Sequence, residues 1–316
     1  MPHSPAPRLY DARGNRYLVA SPAAVGAPTN DPAQAALTSG RWGPPAIAAL
    51  LRPPRGSDRH ALSDGLLVGP FQATSPFDLL ILNTDGTLAE RSGNGLTIFA
   101  TDLAANALAP TGPFLLRVHH AGGVALAVRV EAGIRDGVAG FYLDLGKPAI
   151  GPDAVAATPG CLMPAGAAWH APALAAIDRR WAVSVPVSVG NPHLVTILES
   201  PSDLPDMARL RGELLAPLTR IAFARGSGGA GDPCPAGINL QWVAPGPDGT
   251  LVARVFERGE GPTESSGTSA TAVATAALAL GLVAGPAVSV VMPGGTAPLT
   301  RGADGAMQLF GTARRA

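Results

Sequence analysis

Arg91-Ser92-Gly93-Asn94-Gly95 and Ser265-Ser266-Gly267-Thr268-Ser269 stand 174 positions apart, one in each half of a 316-residue chain. Each follows an extended stretch that ends in an acidic-rich turn, and each opens an alanine-rich run of helical character. Each sets a hydroxyl just before a glycine, which lets the backbone turn tightly where a helix begins. The free N–H groups of a first helical turn, together with the helix dipole, form an anion pocket. The pair reads as one site assembled from two mirrored halves. For either segment taken alone, an ordinary helix cap is the competing reading, because serine is among the residues that caps prefer.

The flanking sequence supports the repeat. Residues 10–20 read as a strand interrupted at Gly14-Asn15, and 31–51 carry helical spacing behind an aspartate, stopped by Pro53-Pro54. Residues 77–83 form a short apolar strand followed by the Asp85-Gly86 turn; 95–108 are helical; 114–130 and 138–145 alternate as strands. The second half repeats this order. Residues 181–189 are a strand leading into Gly190-Asn191-Pro192-His193, and 202–217 are helical with Asp203 and Asp206 in the first turn. Residues 224–235 are a glycine-rich loop, 238–243 and 251–256 are strands joined through 245–249, and 269–282 are a second central helix. Strands at 288–292 and 307–310 close the chain, and any strand beyond Gly311-Thr312 is expected to be short or absent. The economical architecture is α+β: two pseudo-symmetric domains, each a central helix wrapped by a mixed or antiparallel sheet. We place the halves at 1–147 and 148–304, with the terminal strand, about 305–316, a candidate to return to the first. The cleft between them is the default ligand site.

Composition excludes several functions. The chain is 47% apolar and 15% charged, with 39 Gly and 32 Pro, which suits a loop-rich globular protein. Net charge is zero and no basic stripe occurs, so no nucleic-acid partner is expected. The apolar run 270–291 is broken by Gly281, Gly285 and Pro286; it reads as a core helix and a strand rather than a membrane span. With no apolar N-terminal leader, the expectation is a cytoplasmic protein with no membrane partner. Cys161 and Cys234 lie in no C-x-x-C pair and near no clustered histidines, so neither a metal nor a disulfide framework is expected.

Five segments in order carry a resemblance: Gly14-Asn15; Asn83-x-Asp85-Gly86 through Gly93-Asn94-Gly95; Gly190-Asn191-Pro192-His193; Asn239; and Glu257-Arg258-Gly259 through Gly267-Thr268. Pro293-Gly294-Gly295 and Gly311-Thr312-Ala313 also fit. The chain resembles diaminopimelate epimerase, within the fold group that includes proline racemase and the phenazine-biosynthesis isomerase. The resemblance implies two pseudo-symmetric domains, no cofactor, and a small amino-acid or related carboxylate ligand held between them; a homodimer is the assembly it suggests. It implies that Asn15, Asn83, Asn191 and Asn239 contact substrate, and that Glu257 and Arg258 read a distal ammonium and carboxylate. Gly93, Asn94, Gly267 and Thr268 would present N–H groups to the reacting carboxylate. His193 is either part of this set or a structural residue behind Pro192.

The resemblance also implies a cysteine at each focus, one thiolate removing a proton and one thiol delivering it. Here those positions are Ser92 and Ser266. A thiol ionises near pKa 8.5 and a helix N-terminus lowers it; a serine hydroxyl lies nearer water's roughly 15.7. Seven units is roughly 10 kcal/mol of added cost, against at most about 2 returned by one helix terminus. Serine needs a neighbouring base or must act as a proton-relaying donor. Glu90 and Glu264 stand two positions before the two serines, and we take Glu264 as the candidate base; a carboxylate favouring a helix N-terminus is the alternative. Three functions stay open: a cofactor-independent isomerase with a non-thiol acid/base, a ligand-binding pseudoenzyme, and a tautomerase or lyase on a pre-activated substrate.

Overall fold

The computed structural model describes residues 6–52, 62–121 and 123–316. These residues fall into two compact units, one within Met1–Asp144 and Phe310–Ala316, the other Leu145–Leu309.

In the first unit seven strands are hydrogen-bonded in chain order: Arg8–Ala12, Asn15–Ala20, Gly65–Val68, Phe77–Asn83, Phe114–Val118, Leu126–Arg135 and Val138–Asp144. Pairing is antiparallel except at two steps, from the second strand to the third and from the fourth to the fifth. A parallel step needs a crossover, usually helical. Helices Pro32–Leu37 and Ser39–Leu50 lie within the first crossover and helix Gly93–Ala105 within the second. Arg314–Arg315 returns antiparallel to Arg8–Ala12.

The second unit repeats this plan. Val183–Ser188, Pro192–Ile197, Asn239–Pro245, Leu251–Glu257, Ala287–Met292, Gly295–Arg301 and the first three residues of Met307–Gly311 follow in the same order, again parallel at the second and fourth steps. Helix Gly267–Ala279 fills the second crossover.

Both central helices are apolar on nearly every face and buried, as a helix wrapped by sheet must be. They share a ladder of threonines bonding back one turn. Thr97 donates to the Gly93 carbonyl (2.9 Å) and Thr101 to that of Thr97 (2.8 Å). Thr271 donates to Gly267 (2.8 Å) and Thr275 to Thr271 (2.8 Å). This lets a polar side chain sit in a buried helix without an unpaired hydroxyl. The opposite face of each sheet carries its own core. In the first unit Leu18, Leu66, Leu80 and Leu82 pack with Trp42 and Ile47. In the second, Leu194, Leu240, Trp242 and Phe256 pack with Trp181, Leu210 and Leu218. Strand Phe77–Asn83 is therefore covered on both faces, which explains the apolar run from Leu79 to Leu82.

Several elements differ from expectation. The helix expected over 31–51 forms as two pieces, capped by Asp31, whose carboxylate accepts from the Ala33 and Gln34 N–H groups; the proposed stop at Pro53-Pro54 lies outside the described residues. The helix expected over 202–217 is broken at Gly212 into Met207–Arg211 and Leu215–Ala222. The second piece runs past Pro217, which sits in its first turn, where a proline has no helical N–H bond to lose. Strands Gly65–Val68 and Gly295–Arg301 were not anticipated: one is only four residues long, and the other contains Pro298, a residue that argues against a strand interior.

Candidate active site

Ser92 and Ser266 are the N-caps of the two central helices, both in extended backbone conformation. Ser92 Oγ accepts the Gly95 N–H at 3.0 Å and Ser266 Oγ accepts the Ser269 N–H at 3.3 Å. Each serine follows the parallel-step strand that precedes its helix, so the same topology delivers both hydroxyls to the same place in their units. Gly93-Asn94 and Gly267-Thr268 begin the two helices, at the end of a helix that favours negative charge.

Around Ser92, Tyr17 Oη stands 3.2 Å from the serine Oγ. Asn15 opens the same strand and is 4% exposed, and among the described residues its amide has no hydrogen-bond partner. Asn83 behaves differently. Its Nδ2 donates to Thr87 Oγ1 at 3.0 Å, inside the tight turn that follows its strand.

Around Ser266 a buried polar chain runs through the second unit. Asn191 Oδ1 lies 2.9 Å from His193 Nε2, His193 Nδ1 lies 3.0 Å from Gln241 Nε2, and the same Gln241 nitrogen donates to Ser269 Oγ at 3.0 Å. The amide nitrogen can only donate, so His193 Nδ1 accepts and Nε2 carries the proton, which it gives to Asn191. Burial pushes His193 down to about 3, helped by the positive charge of Arg258 and opposed by the Gln241 bond, so the ring is neutral. Asn191 thus keeps Nδ2 for another partner. Asn239 commits both ends of its amide to protein: Nδ2 donates to the Pro192 carbonyl (2.8 Å) and Oδ1 accepts the Arg258 N–H (3.0 Å). It ties the 190–192 turn to the Glu257-Arg258 corner, where Arg258 Nη1 also donates to the Ala236 carbonyl at 3.2 Å. Thr268 Oγ1 lies 3.4 Å from Ser266 Oγ.

Glu264 does not have the surroundings a carboxylate base needs. It is exposed, and Oε1 is paired with Arg211 Nη2 at 3.1 Å, whereas a base is tuned upward by burial away from cations. Among the described residues no group of three or more His, Cys, Asp or Glu side chains is placed to hold a metal ion. Tyr17 and Gln241 did not emerge from the sequence. The available signal for Gln241 was a glutamine between Leu240 and Trp242 in a strand that is otherwise apolar after Asn239.

A profile described as diaminopimelate epimerase matches residues 185–315. Diaminopimelate epimerase 2 of Nostoc sp. strain PCC 7120 is 30% identical over 242 residues, covering 74% of this chain and 72% of its own. The chain belongs to the diaminopimelate epimerase family. The diaminopimelate epimerase of Mycobacterium leprae strain Br4923 is 32% identical over 229 residues, with 69% of this chain and 63% of that protein covered. Among solved structures, a probable proline racemase from Agrobacterium radiobacter K84 with bound carbonate aligns at TM-score 0.61 and 16% identity, covering 98% of this chain and 90% of its own. A PhzF-family phenazine biosynthesis protein from Bacillus anthracis aligns at TM-score 0.59 and 10% identity, covering 98% and 96%. These neighbours share the α+β fold of two similar domains. No helix among the described residues is long and apolar enough to cross a membrane.

Proposed function

We propose that the protein is a cofactor-independent isomerase acting at the carbon next to the carboxylate of a small amino acid or related acid, with hydroxyl rather than thiol chemistry at Ser92 and Ser266. The observation that carries this reading is the recurrence of one device: a serine-capped, buried helix N-terminus at the same topological position in both units. Such termini stabilise the charge that develops when a carboxylate's neighbouring C–H ionises. In this reading Gly93, Asn94, Gly267 and Thr268 bind the carboxylate, and Asn15 and the free Nδ2 of Asn191 orient the substrate. Glu257 and Arg258 read its distal groups, an arginine being suited to bidentate carboxylate binding. Asn83 and Asn239 support their neighbours rather than the ligand. Glu264 serves as base only if a ligand draws it from Arg211.

Serine at both poles argues against diaminopimelate itself, and so against a place in lysine synthesis. A substrate whose C–H is already acidified, by a ketone or a departing hydroxide, needs a weaker base; on such a substrate the same site is a tautomerase or lyase. A second reading, a ligand-binding pseudoenzyme, is favoured by one observation: each serine oxygen is already engaged in capping its own helix.

The test is a melting-shift screen of amino and hydroxy acids, with each stabilising compound then followed by proton NMR in deuterated water. We expect at least one carboxylate to stabilise the protein and exchange its α-proton, and diaminopimelate to exchange none at a useful rate. Stabilisation without exchange for every compound supports the pseudoenzyme and sinks the isomerase. Rapid exchange into diaminopimelate, abolished by Ser92→Ala, refutes our argument from acidity.

A further inference from the structure

We propose that Tyr17 is a positioning residue of the first pole, a phenol that shares its proton with Ser92 and converts an isolated serine hydroxyl into a phenol–hydroxyl pair. The inference rests on the isomerase reading above and supplies the acid that a lone serine lacks.

Successive side chains of a strand alternate between faces, so Asn15 and Tyr17 share one. Both are buried, at 4% and 5% exposure. The Tyr17 ring lies where Gly65 leaves space: a Cβ on Gly65 would fall 2.5 Å from Tyr17 Cε1. The phenol then ends 3.2 Å from Ser92 Oγ, which also accepts the Gly95 N–H at 3.0 Å. A phenol, at pKa about 10, is a far better donor than an alkyl hydroxyl near water's roughly 15.7. Tyr17 O–H therefore takes the second lone pair of Ser92 Oγ. With two donors on its oxygen, the serine turns its own proton away from both, toward whatever occupies the pole.

Proton delivery then balances as follows. The electron pair on the substrate carbon forms a C–H bond with the Ser92 proton. The pair from the broken Ser92 O–H bond stays on Oγ, which takes the Tyr17 proton. The charge comes to rest on the phenolate, and solvent returns a proton to it before the next turnover. At the second pole, among the described residues, no phenol is hydrogen-bonded to the serine: Ser266 Oγ meets the Thr268 hydroxyl at 3.4 Å and the Ser269 N–H at 3.3 Å. The two poles are alike in backbone and unlike in acidity, so delivery is assigned to the first.

The chain has three tyrosines, Tyr10, Tyr17 and Tyr142, so phenolate absorbance of the intact protein can be titrated step by step. Tyr17→Phe is expected to remove one step. Ser92→Ala is expected to raise the midpoint of that step by about half a unit or more, because a hydroxyl bonds a phenolate more strongly than it bonds a phenol. A midpoint that stays put or falls in Ser92→Ala overturns the pairing.

A second arm uses L-proline, trans-4-hydroxy-L-proline and meso-diaminopimelate as probes in deuterated water. For a probe that exchanges, Tyr17→Phe should keep the ligand's melting shift, lose about 10²-fold in exchange rate and lose the rate's dependence on pH in the phenol range. Exchange unchanged in Tyr17→Phe overturns the relay and leaves the isomerase standing. No exchange with any probe counts against the isomerase, and the titration still decides the pair.

Discussion

His193 offers a sharp test of the buried polar chain behind Ser266. The ring is fully buried and held at about 3, against an ordinary value of 6.5. A folded-state value below the unfolded one means that the unfolded chain binds an extra proton between roughly pH 3 and 6.5. The neutral ring therefore contributes its full stability above about pH 6.5, and that contribution drains away as pH falls toward 3. Each pH unit inside the window is worth about 1.4 kcal/mol, so acidification from pH 7 to pH 5 removes about 2 kcal/mol through this one residue. His193→Gln cannot titrate. Its stability at pH 7 should be lower than that of the wild type, since the bonds to Asn191 and Gln241 are disturbed, but the gap should shrink by about 2 kcal/mol at pH 5. Urea unfolding of both proteins at the two pH values measures the gap directly, and surface carboxylates and other histidines cancel in the comparison. A gap that changes by less than about 0.5 kcal/mol would show that His193 is hydrated or charged in the fold. The tautomer assigned here, and the orientation it gives Asn191, would then be wrong.

Other variants test the frame around the site by thermal or urea unfolding. Ser92→Ala and Ser266→Ala should each cost about 1 kcal/mol as lost helix caps; a neutral result at either pole would mean that its hydroxyl does not cap. Asp102 on the first central helix takes Arg8 through two bonds of 2.6 and 2.8 Å and Tyr10 at 2.9 Å, so Asp102→Ala should cost about 3–5 kcal/mol by stranding a mostly buried guanidinium. Gly311→Ala would set a Cβ 2.1 Å from Thr97 Oγ1, a clash expected to cost about 1–3 kcal/mol and to be partly relieved by Thr97→Ala. Glu264→Gln should change stability by less than about 1 kcal/mol, since it removes one exposed ion pair; a larger loss would place that carboxylate in the fold rather than at the surface.

The sequence by itself determined the repeat and its punctuation. Serine followed by glycine at two places 174 residues apart located both helix starts, because capping is a local matter of one side chain and the next few N–H groups. Asp31 announced its helix for the same reason, whereas Asp206, expected within the first turn of a helix over 202–217, is the N-cap of Met207–Arg211. Short apolar runs such as 77–83 were legible as strands, while Gly65–Val68 was too brief and Gly295–Arg301 too irregular to declare itself. What only the tertiary structure decided were the partners of each polar side chain. Asn15, Asn83, Asn191 and Asn239 look alike in sequence, yet Asn83 binds the Thr87 hydroxyl in its own turn, Asn239 binds backbone groups of Pro192 and Arg258, Asn191 is half committed to a neutral histidine, and Asn15 has no partner among the described residues. Glu264 meets Arg211 from 53 residues away, and Tyr17 meets Ser92 across 75. Those distances along the chain are closed only by sheet register and crossover packing, which no local pattern encodes, and they decide which polar groups each side chain near the two serines touches.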